Sequence, residues 1–180
     1  MAKTDSLTAQ RLRELLDYDP LTGAFTWRID IGRGKVGEEA GSYRQGRVVI
    51  GIGGLQFLRS RLAWLHVHGT LPKCIIDHKD LVIDHDWIDN LRPATNTENN
   101  QNRAAANRNS KSGLLGVAWL ASRQKWRAGI GVNRRTVFIG EFDTAEEASA
   151  AYWRAKEALH PFCAHHDPAL SDKGVVASER

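Results

Sequence analysis

The chain has 180 residues, 42% of them hydrophobic, with 25 Lys and Arg against 21 Asp and Glu and a net charge of +4. That is enough chain for one compact domain or two small ones. The two cysteines, Cys74 and Cys163, make no disulfide framework, no export signal opens the chain and no apolar run approaches a membrane span, so a soluble intracellular protein is expected.

Residues 8–17 predict a short helix capped by Thr8, with Leu12, Leu15 and Leu16 on one face. Turn chemistry at 19–23 ends it, and the alternation over 24–28 predicts a half-buried strand. The Gly-rich, charged stretch 32–46 reads as a loop, and 47–50 with 55–58 as a hairpin. A helix with Leu62, Ala63, Trp64 and Leu65 follows, closed by Gly69 and Pro72, with His66 and His68 on its surface. Residues 74–77 read as a strand and 80–87 as an acidic loop. Thr95 and Glu98 have capping-box spacing, which starts a helix near Asn96 and puts Asn99 in its first turn. The polar stretch 107–113 reads as a linker. Three strand-like runs, 115–120, 125–131 and 136–140, are spaced as a meander. A second capping box, Thr144 with Glu147, opens a helix with Ala148, Ala151, Tyr152, Ala155 and Leu159 along one side. Pro161 stops it, and the remainder reads as a loose tail.

The net charge conceals unlike parts. Residues 1–100 sum to zero, 101–140 to +8 without one carboxylate, and 141–180 to −4. A surface built from the acid-free run has nothing to repel a phosphate backbone, and counterion release favours binding there. A solvated basic face without a partner explains the same run nearly as well. Aromatic residues interleave with the cations: Trp119, Arg123, Lys125, Trp126, Arg127, Arg134 and Arg135. On a three-stranded sheet, alternation puts some of these on one exposed face, where cations meet phosphates. Against this, Trp119 and Trp126 also suit a core.

The chemistry concentrates in Asp77-His78, then Asn90 and Asn99. Phosphodiester hydrolysis needs a base to deprotonate water and a cation to stabilise the phosphorane and the departing oxyanion. His78 suits the base because an unperturbed imidazole changes charge near neutral pH, while Asp77 and Asn99 offer oxygen ligands suited to a hard ion such as Mg²⁺. Asn90 suits a structural tie, since an amide can donate and accept at once. An Asp-His dipeptide by itself is common in hydrogen-bonded turns, and the asparagines also suit a polar loop. A zinc site at Cys74 and His78 lacks the paired CxxC motifs that would support it, and Cys74 reads as a core residue.

The run 61–72, Ile76-Asp77-His78, the segment from Asp89 and Asn90 to Thr95, and Glu98-Asn99 resemble phage-type HNH homing endonucleases over about residues 59–102. The resemblance implies two strands and a helix around one metal, the ββα-metal or His-Me finger fold. It implies a catalytic set of His78 as general base and Asn90 as the central structural asparagine, with Asp77 and Asn99 as ligands of one Mg²⁺ or Mn²⁺. Between Lys79 and Trp87 the chain departs from the Gly- and Asn-rich turn of such relatives.

Gly116-Val117 with Trp119, Lys125-Trp126 with Ala128 and Ile130, and Ile139-Gly140 with Phe142, Thr144, Ala148, Ala151 and Tyr152 resemble the Apetala-two/ethylene-response-factor DNA-binding domain over about 113–160. In that family the sheet enters the major groove. The resemblance implies Trp126 and its basic neighbours as contacts, with Phe142, Ala148 and Tyr152 in packing.

The expected architecture is therefore α+β: a ββα-metal nuclease region followed by a three-stranded antiparallel sheet packed on one helix. The expected division is 1–107 for the N-terminal elements and nuclease region, 108–113 for a linker, 114–160 for the second domain and 161–180 for a tail. The expected activity is metal-dependent endonucleolytic cleavage of double-stranded DNA by a monomer, without membrane or small-molecule cofactor, in the cytoplasm of a bacterial cell carrying a phage or prophage. A DNA-binding regulator that does not cut is the rival reading.

Overall fold

A computed structural model describes residues 7–163, which form four helices and ten short strands in four antiparallel sheets. The tail expected over 161–180 lies, from residue 164 on, outside the described residues. The chain divides into two compact units between Thr97 and Glu98, ahead of the linker expected at 108–113.

In the first unit, the Thr8 hydroxyl accepts from the Arg11 amide at 3.1 Å and caps α1 (Ala9–Leu15), which buries Leu12 and Leu15. The helix is shorter than 8–17: at Leu16 the backbone becomes extended as β1 (Leu16–Tyr18), paired with β2 (Phe25–Trp27). Their turn is fixed by Asp19, whose carboxylate accepts from the Thr22 hydroxyl at 2.7 Å and the Leu21 amide at 2.9 Å. The stretch read as a loop over 32–46 contains a strand, β3 (Ser42–Arg44), paired with β4 (Arg47–Ile52). All three β3 residues are exposed, so no burial alternation marked it. β4 continues through a turn at Gly53 and Gly54 into β5 (Leu55–Leu58).

The helix α2 (Arg59–His68) ends at left-handed Gly69, and the Arg13 guanidinium donates to the His66 carbonyl at 3.0 Å, where the helix dipole favours a cation. His66 is not a surface residue: it is half-buried, with its ring centroid 5.5 Å from Tyr18 and 5.9 Å from Phe25. Burial, with help from the Arg13 charge, holds its pKa below the usual histidine value. β6 (Ile75–His78) pairs with β7 (Leu91–Ala94), which runs into α3 (Asn96–Asn102). One core of Leu12, Leu15, Leu16, Phe25, Ile50, Leu62 and their neighbours reaches Leu91 on β7, so the N-terminal elements and the β6–β7 hairpin share a single apolar cluster.

The second unit is the expected meander with its helix. β8 (Val117–Leu120), β9 (Lys125–Val132) and β10 (Arg135–Phe142) form a sheet in the order β10-β9-β8, packed on α4 (Ala145–Leu159). Both arms of the Thr144–Glu147 capping box are made. Val117, Ala128, Ile130, Ala148 and Tyr152 form the core. Gly116 is needed there: φ is +70°, and a Cβ would sit 2.0 Å from the Tyr152 ring. Leu159 is exposed rather than on the buried side; Lys156 takes the inner position, its ammonium donating to the Arg103 carbonyl and lying 4.5 Å from the Trp153 ring.

Candidate active site and nucleic-acid face

On β6 and β7 the register places Asp77 opposite Arg92 and His78 opposite Leu91. Directly opposed side chains in an antiparallel pair are within reach of one another. The Arg92 guanidinium accordingly donates through Nε and Nη2 to one Asp77 oxygen, each at 2.9 Å. Asp77 and His78 are both buried, at 6% exposure each.

Asn90 closes the loop between the strands. Its side-chain nitrogen donates to the Asp80 carboxylate and the His85 carbonyl, both at 2.8 Å, and its side-chain oxygen accepts from the Asp80 amide at 3.1 Å. The Asn90 carbonyl accepts from the Lys79 amide at 2.9 Å. His85, which had no assignment from sequence, lies 2.6 Å from Asp80 through Nδ1 and stacks on Trp87 at 4.4 Å. Burial works to raise the Asp80 pKa, but hydrogen bonds from His85, the Val82 amide and Asn90 outweigh it and hold the carboxyl below its ordinary range. The acidic loop is thus an ordered, internally bonded turn.

Sequence reasoning missed Asp86 and Arg59. Asp86 is buried, with one carboxylate oxygen 2.7 Å from His78 Nε2 and the other 2.8 Å from Arg59 Nε. A buried aspartate eight residues downstream of a histidine carries no local signal. One was available in α2, whose first residue is an arginine at a position the helix buries.

Asp77, His78 and Asn90 come together in the first unit, whereas Asn99 is half-buried in α3 beyond the boundary between units. Among the described residues, no group of three or more His, Cys, Asp or Glu is arranged to hold a metal ion. Asp77 carries a carboxylate oxygen and Asn99 an amide oxygen, each a hard donor of the kind suited to an ion that keeps several waters.

In the second unit, alternation divides the predicted nucleic-acid set. Trp119 pairs with Trp126 beside Val117 and Ala128, on the side of the sheet that carries the core, with ring centroids 5.2 Å apart. Lys125 and Arg127 point to the other side, where the Arg127 guanidinium lies 5.4 Å from the ring of Phe138, itself 54% exposed. Arg123 pairs with Glu141 at 3.1 Å, and Lys125 with Asp143, so two acids beyond the acid-free run partly neutralise it. Arg127, Arg134 and Arg135 are exposed and have no carboxylate partner among the described residues; the two last sit at the β9–β10 turn.

Residues 57–101 match the family model described as HNH endonuclease. "Protein 3.8" of Escherichia phage T7 is 33% identical over 98 residues, covering 54% of this chain and 79% of the phage protein. No solved structure gives a significant match. Among the described residues, no helix is long and apolar enough to cross a membrane. The chain belongs to the family of phage T7 Protein 3.8 and carries an HNH endonuclease domain at residues 57–101.

Proposed function

We propose that the chain is a metal-dependent DNA endonuclease that hydrolyses phosphodiester bonds with His78 as general base and is held on duplex DNA by its C-terminal sheet. The observation that carries this reading is the adjacent Asp77-His78 pair at the end of β6, with Asn90 bracing the following loop, inside the HNH-matching segment. His78 accepts a proton from the attacking water, and Asn90 keeps the loop, and with it the end of β6, in place. Asp77 and Asn99 would hold a divalent ion, Mg²⁺ or Mn²⁺, which when bound supplies positive charge for the phosphorane and the leaving oxygen. Arg92 holds the Asp77 carboxylate in a fixed direction. In the second unit, Arg127, Arg134 and Arg135 are the side chains best placed for phosphate, and the likeness of the sheet and helix to the Apetala-two/ethylene-response-factor domain supports major-groove docking.

The test is cleavage of supercoiled plasmid and phage DNA with Mg²⁺ or Mn²⁺, with the ends mapped. His78→Ala is expected to lower cleavage by at least about 100-fold while a gel shift persists. Undiminished cleavage by that variant would overturn the assignment of the base.

One observation favours a second reading, a DNA-binding regulator that does not cut: the Asp77 carboxylate already has a cation partner in Arg92. Wild-type protein that shifts DNA but leaves it intact with either metal would establish that reading, and Arg92→Ala would then leave DNA uncut as well.

A further inference from the structure

His78 belongs to a buried chain of charges. Its Nε2 lies 2.7 Å from Asp86 Oδ1, Asp86 Oδ2 accepts from Arg59 Nε at 2.8 Å, and the same guanidinium donates to the Asp84 carbonyl at 2.7 Å. The Asp86 backbone is clamped as well. The Tyr18 hydroxyl donates to its carbonyl at 2.9 Å, and Gly23 comes so close that a Cβ there would lie 2.4 Å from the Asp86 carbonyl carbon. A buried ion pair rarely outdoes well-packed apolar side chains in stability, so its placement against one imidazole nitrogen calls for another explanation.

The chemistry supplies one. An aspartate held by a guanidinium is an acceptor only, so the imidazole nitrogen facing it carries the proton, and the lone pair of the neutral ring then resides on Nδ1. Resting on the reading of His78 as general base, we propose that Asp86, held by Arg59, is a positioning residue that sets the tautomer and orientation of His78. The elements that fix it, β1, the turn at Gly23 and the start of α2, lie largely outside the adjacent Asp-His pair and its hairpin.

Asp86→Asn tests this with almost no change of shape. Arginine only donates, so the amide oxygen turns to Arg59 and the amide nitrogen faces His78 Nε2, which must become an acceptor; the ring proton moves to Nδ1. Long-range ¹H–¹⁵N spectra of the full-length wild type in mildly alkaline buffer are expected to show the Nε2–H tautomer of His78, and those of Asp86→Asn the Nδ1–H tautomer. Turnover of supercoiled plasmid with Mg²⁺ is expected to fall on the order of 100-fold in Asp86→Asn, with KM and gel-shift affinity unchanged.

A wild-type His78 protonated on Nδ1, alone or together with Nε2, overturns the inference, and this measurement needs no variant to fold. An inactive His78→Ala beside a fully active Asp86→Asn overturns the positioning role and leaves the base assignment intact. An active His78→Ala removes the base assignment itself, and the positioning role with it.

Discussion

The two units use arginine in opposite ways. In the first, Arg59 and Arg92 are largely withdrawn from water and lie on Asp86 and Asp77, two buried carboxylates. In the second, Arg127, Arg134 and Arg135 remain in solvent, and among the described residues Arg123 and Lys125 pair with acids drawn from β10 and just beyond it. A segment that sums to zero is therefore no quieter than one that sums to +8. The first arranges its charges around a hairpin; the second presents them to whatever approaches. Desolvated charge resists perturbation through packing, whereas exposed charge answers to salt, and the two units should be separable on that basis.

The largest expected effect follows from breaking the inward set. Arg59→Ala leaves Asp86 buried without its cation and should cost the first unit about 3–5 kcal/mol, read by urea unfolding, with hydrogen exchange reporting the β8–β10 amides unaffected. A loss below about 1 kcal/mol, the range of exposed pairs, would erase the contrast between the units. Next comes Gly116→Ala, which drives a methyl into Tyr152 and should cost the second unit about 1–3 kcal/mol, visible in the same exchange experiment as loss of protection confined to that sheet. Converting Arg134 and Arg135 to Ala should then reduce the slope of log affinity against log salt by about 2, roughly one for each phosphate that no longer meets a guanidinium. Converting Arg123 and Lys125 should reduce it less, because their carboxylate partners already compete with phosphate. Equal slopes would mean that the ion pairs are irrelevant to binding.

The smallest effect belongs to Asp80. Its folded pKa lies below the ordinary 3.8, so the stability it contributes is present above that value and is lost as pH falls through the lower folded value. Asp80→Asn should flatten the acid limb of a plot of Tm against pH. The change is modest because the side chain is one-third exposed.

Features set by neighbours in the chain are legible from the sequence alone. Thr8, Gly69 and the Thr144–Glu147 pair act on the backbone within four residues, and each ends or begins its helix as read. Asp77, His78 and Asn90 stand out in the sequence by residue type and order, and His78 and Asn90 flank the loop of a hairpin whose strands both have a buried face. What escaped depends on partners far away in sequence. Asp86 is one of several acids in an acidic loop until Arg59, 27 residues earlier, and His78 select it. Leu159 fitted the periodicity of α4 better than Lys156, but the lysine stem packs inward while its ammonium finds the Arg103 carbonyl. Alternation alone puts some of Trp119, Trp126 and their basic neighbours on one face without saying which; the strand register sends the tryptophans to one side and Lys125 and Arg127 to the other.

Gly23 has a consequence for how this nuclease segment can be moved between proteins. The stretch that carries the family signature begins at residue 57, yet the backbone of Asp86 rests against a glycine 34 positions before that point and takes a hydrogen bond from Tyr18. A graft of the signature alone would inherit Asp77, His78 and Asn90 without the surface that shapes the loop between them. A portable module would run from α1 through α3, because the elements ahead of residue 57 supply the surface against which the loop that carries Asp86 is set.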